Sequence, residues 1–258
     1  MIANYHCHTS RCNHATGTDE EYVRRAVEGG LQIMGFSDHN PYWYPGEYYS
    51  RHRMKPEELE EYCQSVLFLR EKYASRLQLH VGLEVEYYAD LFPEFIRRLQ
   101  DSPVEYMILG QHYLSSEEGG TWYSGRATEE EQRLEQYCDQ VLEAIYTGLF
   151  TYIAHPDLLR YAGPEDIYNR HIRRLCQGAN ACGVPLEINF LGLQEGRWYP
   201  NERFWRLAAE ENCQVVLGCD AHQPDRAWAP DTEKRALEMV KKYGLQLLPT
   251  VEFKKISL

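Results

Sequence analysis

IMGFSDH, at residues 33–39, is an apolar run that ends in hydrogen-bonding and metal-binding side chains. Its apolar part is short and continuous, which is typical of a strand buried on both faces of a parallel sheet. We therefore predict a strand over residues 33–37. Six further runs of the same character lie at residues 2–6, 77–85, 106–109, 151–154, 185–188 and 214–218.

Helical patterns separate these runs. Thr18 to Glu21 has the pattern of a capping box, and Thr128 with Glu131 has it again. Alternating strands and helices predict a parallel sheet with right-handed crossovers. Seven such units indicate a single α/β domain that forms a closed or nearly closed barrel, and a doubly wound open sheet is the alternative. The other predicted helices cover residues 56–76, 92–100, 165–181, 201–211 and 232–243.

Every predicted strand delivers a coordinating or hydrogen-bonding residue at its C-terminal end, where α/β barrels build their active sites. Residues i and i+2 of an extended segment point to the same side, so His6 and His8 can chelate one ion, and Asp220 and His222 offer two more donors. Imidazoles suit zinc, iron and related metals, and a carboxylate can bridge two ions. The sequence therefore predicts a metal cluster. The residues at these strand ends include His6, His8, His39, Glu84, His112, His155, Glu187, Asn189, Asp220 and His222.

Two long loops, at residues 41–54 and 115–126, are rich in aromatic residues and glycine, and loops of this length often cover a site. His52, in the first loop, is a candidate for such a role, whereas His80 and His171 are expected to be structural or exposed. Glu86, two residues beyond Glu84, is expected to contact solvent or to support the ligands, with exposure slightly favoured. Aromatic candidates for substrate stacking are Tyr42, Trp43, Tyr44, Tyr48, Trp122 and Tyr123.

Composition excludes several classes of protein. The net charge of −12 argues against nonspecific binding to nucleic acid or to anionic membranes. No apolar stretch is long enough to span a membrane. The first ten residues lack the pattern of a signal peptide, so we expect a cytoplasmic protein. The eight cysteines form no C-x-x-C pair and are expected to be free, mostly buried thiols.

The ordered motifs resemble the polymerase and histidinol phosphatase (PHP) superfamily, in particular its histidinol-phosphatase branch. The resemblance spans about residues 2 to 225, although Asn40, Gln111 and Phe190 are local variations. It implies a distorted (β/α)7, TIM-like barrel, with residues 1–258 as one metal-dependent phosphoesterase domain. The matching motifs are His6-x-His8, Arg11-Cys12-Asn13-His14-Ala15-x-Gly17, Gly35 to Pro41, Gly82-Leu83-Glu84, His112, Ala154 to Asp157, Glu187-Ile188-Asn189 and Gly218 to His222.

The resemblance also implies two or three divalent transition-metal ions, with zinc, iron or manganese as candidates. Nine residues would hold them, and Glu84 would bridge two of the ions. The first ion would be held by His6, His8, Glu84 and Asp220, the second by Glu84, His112 and His155, and the third by His14, His39 and His222.

A metal cluster of this kind predicts hydrolysis of a small phosphomonoester. The resemblance names L-histidinol phosphate, which belongs to histidine biosynthesis. Asp220, His222 or a second metal-bound water is a candidate acid for the leaving alkoxide, and Arg160 and Arg197 are candidates to bind phosphate. Alternatives are another small phosphomonoester or a nucleotide as substrate and, from another class, a noncatalytic metal-binding module. The oligomeric state is left open.

Overall fold

The computed structural model describes residues 1–119 and 122–256. Its sheet has eight parallel strands in the order in which they occur along the chain. Each of the seven predicted strands is present, with ends that differ by at most a few residues. The strands are β1 Ala3–Asn4, β2 Ile33–His39, β3 Gln78–Val85, β4 Tyr106–Leu109, β5 Phe150–Ile153, β6 Leu186–Asn189, β7 Gln214–Gly218 and β8 Gln246–Leu247.

The sheet curls until the segment after β1 meets the segment after β7. Cys7 and Ala221 form a parallel bridge there, and the amide of His8 donates to the carbonyl of Ala221 at 2.9 Å. This contact distinguishes the distorted barrel from an open doubly wound sheet. The two-residue strand β8, which the sequence did not predict, pairs only with the start of β7. A strand this short has no detectable period, so only its pairing defines it.

Helices cover the outside of the barrel. The Thr18 capping box is confirmed, but the one predicted at Thr128 is wrong. There the helix begins at Glu131 without a side-chain cap, because Thr128 pairs with Tyr161 instead. The helices are α1 Asp19–Glu28, α2 Leu59–Tyr73, α3 Phe92–Leu99, α4 Glu131–Tyr146, α5 Glu165–Cys182, α6 Phe190–Glu195, α7 Glu202–Glu210 and α8 Pro230–Tyr243.

Within the described ranges, none of these helices combines the length and apolarity that crossing a membrane requires. All eight cysteines are free, as predicted, and only Cys182 is not fully buried. The short helix α6 was not predicted, because it follows strand β6 without a turn. Asn189, the last residue of β6, caps it by accepting the amide of Gly192 at 3.0 Å.

Aromatic side chains fill the barrel interior below the C-terminal ends of the strands. Tyr106 donates its hydroxyl to the carbonyls of Tyr5 at 2.8 Å and Phe36 at 3.0 Å. The ring of Phe253 stacks on Tyr106 with centroids 4.5 Å apart. A Cβ at Gly35 would lie only 2.0 Å from the Tyr106 hydroxyl, so the absence of a side chain there makes room for the ring. This layer closes the barrel beneath the polar strand ends.

Gly35→Ala should destabilise the fold by about 1–3 kcal/mol, because the added methyl overpacks the barrel against Tyr106. Tyr106→Phe should cost about 1 kcal/mol through its lost hydrogen bonds. The double variant should be less destabilised than the sum of the two, since the closest clash is with the hydroxyl. Urea unfolding of the four proteins measures this, and additive losses would place the strain elsewhere.

Candidate metal centre

The strand ends bring all nine predicted metal-binding residues to one place at the C-terminal end of the barrel. His39 and Glu84 belong to β2 and β3, while His14 lies in the loop after the short 3-10 turn Ser10–Cys12. The others follow their strands directly. They are His6, His8, His112, His155, Asp220 and His222.

Glu84 is central to the cluster, and its two oxygens face different imidazoles. Oε1 lies 2.9 Å from Nε2 of His155 and 3.7 Å from Nε2 of His6. Oε2 lies 3.0 Å from Nδ1 of His39 and 3.5 Å from Nε2 of His8. A carboxylate placed in this way can give one oxygen to each of two ions. A Cβ at residue 110 would lie 1.9 Å from Oε1, so Gly110 leaves the space that the carboxylate needs.

Asp220 forms the opposite side of the cluster. Its Oδ1 lies 3.2 Å from Nε2 of His8 and 3.3 Å from Nδ1 of His222. Asp220 and His155 both have positive φ, at 49° and 31°. Residues other than glycine rarely adopt this conformation, and where they do it is often at a functional site. The backbone turn at each strand end therefore aims the ligand inward.

Donor atoms in this cluster are close enough together to share ions. Two compact groups agree with the predicted sets, namely His6 with His8 and Glu84, and His14 with His39 and His222. The predicted set of Glu84, His112 and His155 does not occur as one group among the described residues. The remaining groups, whose ligand atoms also lie within 4.8 Å of one another, are His39 with Glu84 and His112, His6 with His155 and Asp220, and His8 with Cys12 and His222.

The donor set fits divalent transition metals. Glu84 is 1% exposed, and its buried Oε2 has no hydrogen bond. Nδ1 of His155 is buried without a partner too. Nε2 atoms of His6 and His8 face each other at 3.2 Å. Buried polar atoms without partners are costly, and bound cations would satisfy these carboxylates and imidazoles together.

Carboxylates outside the cluster orient the histidines. Nδ1 of His6 lies 2.7 Å from Oε1 of Glu187, and Nδ1 of His8 lies 3.4 Å from Oδ1 of Asp38. Each carboxylate accepts the Nδ1 proton and leaves Nε2 free to bind a metal. Gly218 makes room for Glu187, because a Cβ there would lie 1.7 Å from its oxygen.

Glu86 has the same supporting role, and the expectation that it is exposed was wrong. It is 2% exposed, and its Oε1 lies 3.2 Å from Nδ1 of His112. Arg53 approaches the same oxygen at 2.6 Å. The sequence suggested exposure because strand β3 ends at Val85. The loop at residues 41–54 covers Glu86 and supplies its cation.

Protonation in the cluster follows from burial and charge. Burial lowers the pKa of His39 and His222 well below the ordinary histidine value, so both rings keep free lone pairs near neutral pH. Burial would raise the pKa of Glu84, but the neighbouring imidazoles hold it well below its ordinary value. Burial would lower the pKa of His6, but the negative charge of Glu187 and the nearby carboxylates raises it well above its ordinary value. The cluster therefore demands positive charge.

A cavity of about 380 Å³ opens above the cluster. Arg197 lines it, as predicted for a substrate-binding residue, and holds Glu195 at 2.7 Å. Arg226, which was not predicted from the sequence, lines it too and holds Glu195 at 2.8 Å. Its signal was its position four residues after His222. The cavity therefore combines metal ligands with two guanidinium groups.

Arg160 is placed differently from Arg197. Its side chain is exposed and lies over the ring of Trp198 at 5.5 Å. It is not among the described residues that line the cavity, so the structure does not support the sequence assignment of Arg160 to phosphate binding. The backbone of Arg160 is fixed elsewhere, because its amide donates to the carbonyl of Ser124 and its carbonyl accepts from the amide of Thr128, each at 3.0 Å.

The aromatic loops are only partly at the cavity. His52 and Tyr123 line it, whereas the four aromatic residues of the first loop that were predicted to stack on substrate border a separate hollow. The indole of Trp122 stacks under Arg133 at 5.3 Å, away from the ligands. In the second loop, residues 120 and 121 lie outside the described part of the chain. The residues at the separate hollow are Tyr42, Trp43, Tyr44 and Tyr48.

Several known proteins are similar to this chain in sequence or in fold. A probable histidinol-phosphatase from Deinococcus radiodurans is 33% identical over 240 residues, which cover 86% of this chain and 87% of that protein. The histidinol-phosphatase of Bacillus subtilis is 26% identical and covers 84% of this chain and 92% of its own length.

The histidinol phosphate phosphatase of Lactococcus lactis, solved with zinc, L-histidinol and phosphate, has a similar fold. Its TM-score is 0.74 at 20% identity, and the match covers 100% of this chain and 99% of that one. The PHP domain family matches residues 4–190, nearly three quarters of the chain. By this match and by its relatives, the chain belongs to the PHP domain family.

Proposed function

We propose that this protein is a metal-dependent phosphomonoesterase whose substrate is L-histidinol phosphate. The observation that carries the proposal is the nine-residue donor cluster at the base of a cavity that also holds two arginines. The names of the relatives support the choice of substrate. A cavity of about 380 Å³ is within the range that small ligands occupy.

The cluster would hold two or three divalent ions, with zinc, iron or manganese as the candidates. His6, His8, Glu84 and Asp220 would hold one ion, Glu84 and His112 would contribute to a second, and His14, His39 and His222 would hold the third. Bound ions would lower the pKa of a water molecule, so that it loses a proton and can attack phosphorus. The ions would also neutralise charge on the phosphoryl oxygens. The choice among these metals follows from donor chemistry, since imidazole suits all three.

The side chains of the cavity would bind and orient the ester. Arg197 and Arg226 present guanidinium groups that pair with phosphate oxygens. Both are held by Glu195, so their positions are set before substrate arrives. His52 and Tyr123 offer ring faces to the rest of the substrate. These residues make the cavity suited to a phosphate ester that carries an aromatic group.

Asp220 is the residue we assign to proton transfer. Burial would raise its pKa, but His6, His8 and His222 hold it well below the ordinary value, so the carboxylate is charged when substrate binds. Because a carboxylate with so low a pKa is a weak base, it would act as a relay, taking the proton that a metal-bound water releases and passing it to the leaving alkoxide. Oδ2 is held at 3.0 Å by Nδ2 of Asn189. Of the two residues predicted as acid, His222 is the weaker choice. Its Nδ1 lies 3.1 Å from the carbonyl oxygen of Asp220, which leaves one ring nitrogen for a metal, whereas Asp220 has a second carboxylate oxygen.

Two alternatives are separated by experiment. Another small phosphomonoester or a nucleotide would use the same cluster and arginines, and only a screen of substrates distinguishes it from histidinol phosphate. A noncatalytic metal-binding module would bind ions without turnover.

The cytoplasmic location stays a prediction, as does the absence of nucleic acid and membrane partners.

Metal content is the first test. Purified protein should hold two to three transition-metal ions per chain, and a chelator should abolish hydrolysis until ions are restored. Glu84→Gln should lose metal and activity, because a neutral amide cannot bridge two ions. Glu105→Gln is a matched control. This carboxylate also accepts from a histidine, with His80 Nδ1 at 3.2 Å, but at the other end of β3. Elemental analysis of the three proteins decides, and full metal content in Glu84→Gln would contradict the bridging role.

Arginine substitutions are the second test. Arg197→Ala and Arg226→Ala should each lower kcat/KM for histidinol phosphate by roughly 10²-fold, as expected when a group that stabilises the transferring phosphoryl is removed. Arg160→Ala should have a much smaller effect, since its side chain lies over Trp198. Steady-state kinetics on metal-loaded protein, with a panel of phosphomonoesters, measures both the rates and the substrate preference. An equal loss in all three variants would return Arg160 to the phosphate site.

A further inference from the structure

Arg53 is a buried cation outside the metal cluster, and each of its three guanidinium nitrogens donates a hydrogen bond. The side chain is 2% exposed. Nε donates to Glu117 at 2.7 Å, Nη1 donates to Asn40 at 2.9 Å, and Nη2 donates to Glu86 at 2.6 Å. The three partners come from three separate segments. A buried arginine with this many charged contacts holds those segments in one arrangement.

The contact with Glu86 leads to a metal ligand. Oε1 of Glu86 accepts from Arg53 and lies 3.2 Å from Nδ1 of His112. Oε2 accepts from the amide of Tyr113 at 3.1 Å and from the hydroxyl of Tyr88. The carboxylate thus cannot turn without breaking several hydrogen bonds. It keeps the proton of His112 on Nδ1 and points Nε2 toward Glu84.

The contact with Asn40 leads to a second metal ligand. Asn40 follows His39 in the chain, and its backbone N–H donates to the backbone carbonyl of Glu84 at 2.9 Å. His39, Glu84 and His112 form one of the compact donor groups. Arg53 therefore touches both residues that support this group from outside.

We infer that Arg53 is a positioning residue for the metal ion that Glu84 and His112 would help to hold. This inference rests on the metal centre proposed above. Without the guanidinium, Glu86 and Glu117 would be two buried carboxylates without their cation, which is strongly unfavourable. Glu86 would turn away or take up a proton, and His112 would lose the acceptor that fixes its orientation.

The same contacts explain why Arg53 is buried although it belongs to a loop. Arg53 belongs to the loop at residues 41–54, and Glu117 belongs to the loop at residues 115–126. Ser50 also donates to Glu117. The two loops are thus joined beneath the cavity rim by one ion-pair network, which couples their position to the ligands.

Metal affinity, measured by chelator competition, tests the inference directly. Arg53→Gln should weaken the binding of one ion by about 10–100-fold, the usual effect of removing an outer partner of a ligand, while the other ions bind as in the wild type. Arg53→Lys keeps the charge but not the forked geometry, so its loss should be intermediate.

Arg70→Gln is the matched control, because Arg70 pairs with Glu105, and Glu105 contacts Nδ1 of His80 in the same order of residue types. This second series of contacts lies away from the metal donors. Metal binding should be unchanged in Arg70→Gln.

A double-mutant cycle separates positioning from general destabilisation. Glu86→Gln should weaken the same ion as Arg53→Gln, and the double variant should lose little more than either single variant, because both act through one contact. Nuclear magnetic resonance of the zinc-loaded protein should detect faster exchange of the His112 Nδ1 proton in each. Thermal unfolding checks that each variant is folded.

The outcomes are distinct. A folded Arg53→Gln protein that binds every ion as the wild type does overturns the inference, as do additive losses in the cycle. If neither Arg53 variant folds, Glu86→Gln decides alone, and unchanged metal affinity in that protein also overturns it. A wild-type protein that binds no ions contradicts the metal centre itself.

Discussion

Glu84 is a carboxylate buried in the barrel, and the arrangement around it depends on the need to balance its charge. Five imidazole nitrogens lie within 3.8 Å of its two oxygens. No arginine or lysine is among the cations recorded beside it in the described ranges. Transferring an unpaired carboxylate to such a site would cost several kcal/mol. Metal ions bound there would satisfy the carboxylate and use the same imidazoles as ligands.

The barrel makes this concentration of charge possible by separating it from the core. Aromatic rings close the interior below, with Tyr106 and Phe253 stacked. Glycines at positions 110 and 218 then leave space for Glu84 and Glu187 where any side chain would clash. The apolar layers supply the stability that polar strand ends do not, so the site can carry unfavourable backbone conformations at His155 and Asp220.

A second layer of acceptors decides how the ligands are presented. Three carboxylates each accept a hydrogen bond from Nδ1 of a histidine and so fix its tautomer. They belong to Glu187, Asp38 and Glu86. Glu86 is tied to a cation on a loop, whereas the others are set by the barrel itself. The loop that carries Arg53 would therefore influence how His112 is presented to a metal ion as well as line the cavity.

The amino-acid sequence by itself determined the parallel α/β fold and the nine donors. These features are local, since a buried strand is a short apolar run and its ligands follow at fixed offsets such as His6 and His8. Strand β8 and the failed cap at Thr128 were decided by pairing with distant segments. Glu86, Arg53 and Arg226 acquired their positions in the same way. Their burial and their partners depend on which loops cover the end of the barrel. The residues next to them in the sequence do not indicate those contacts.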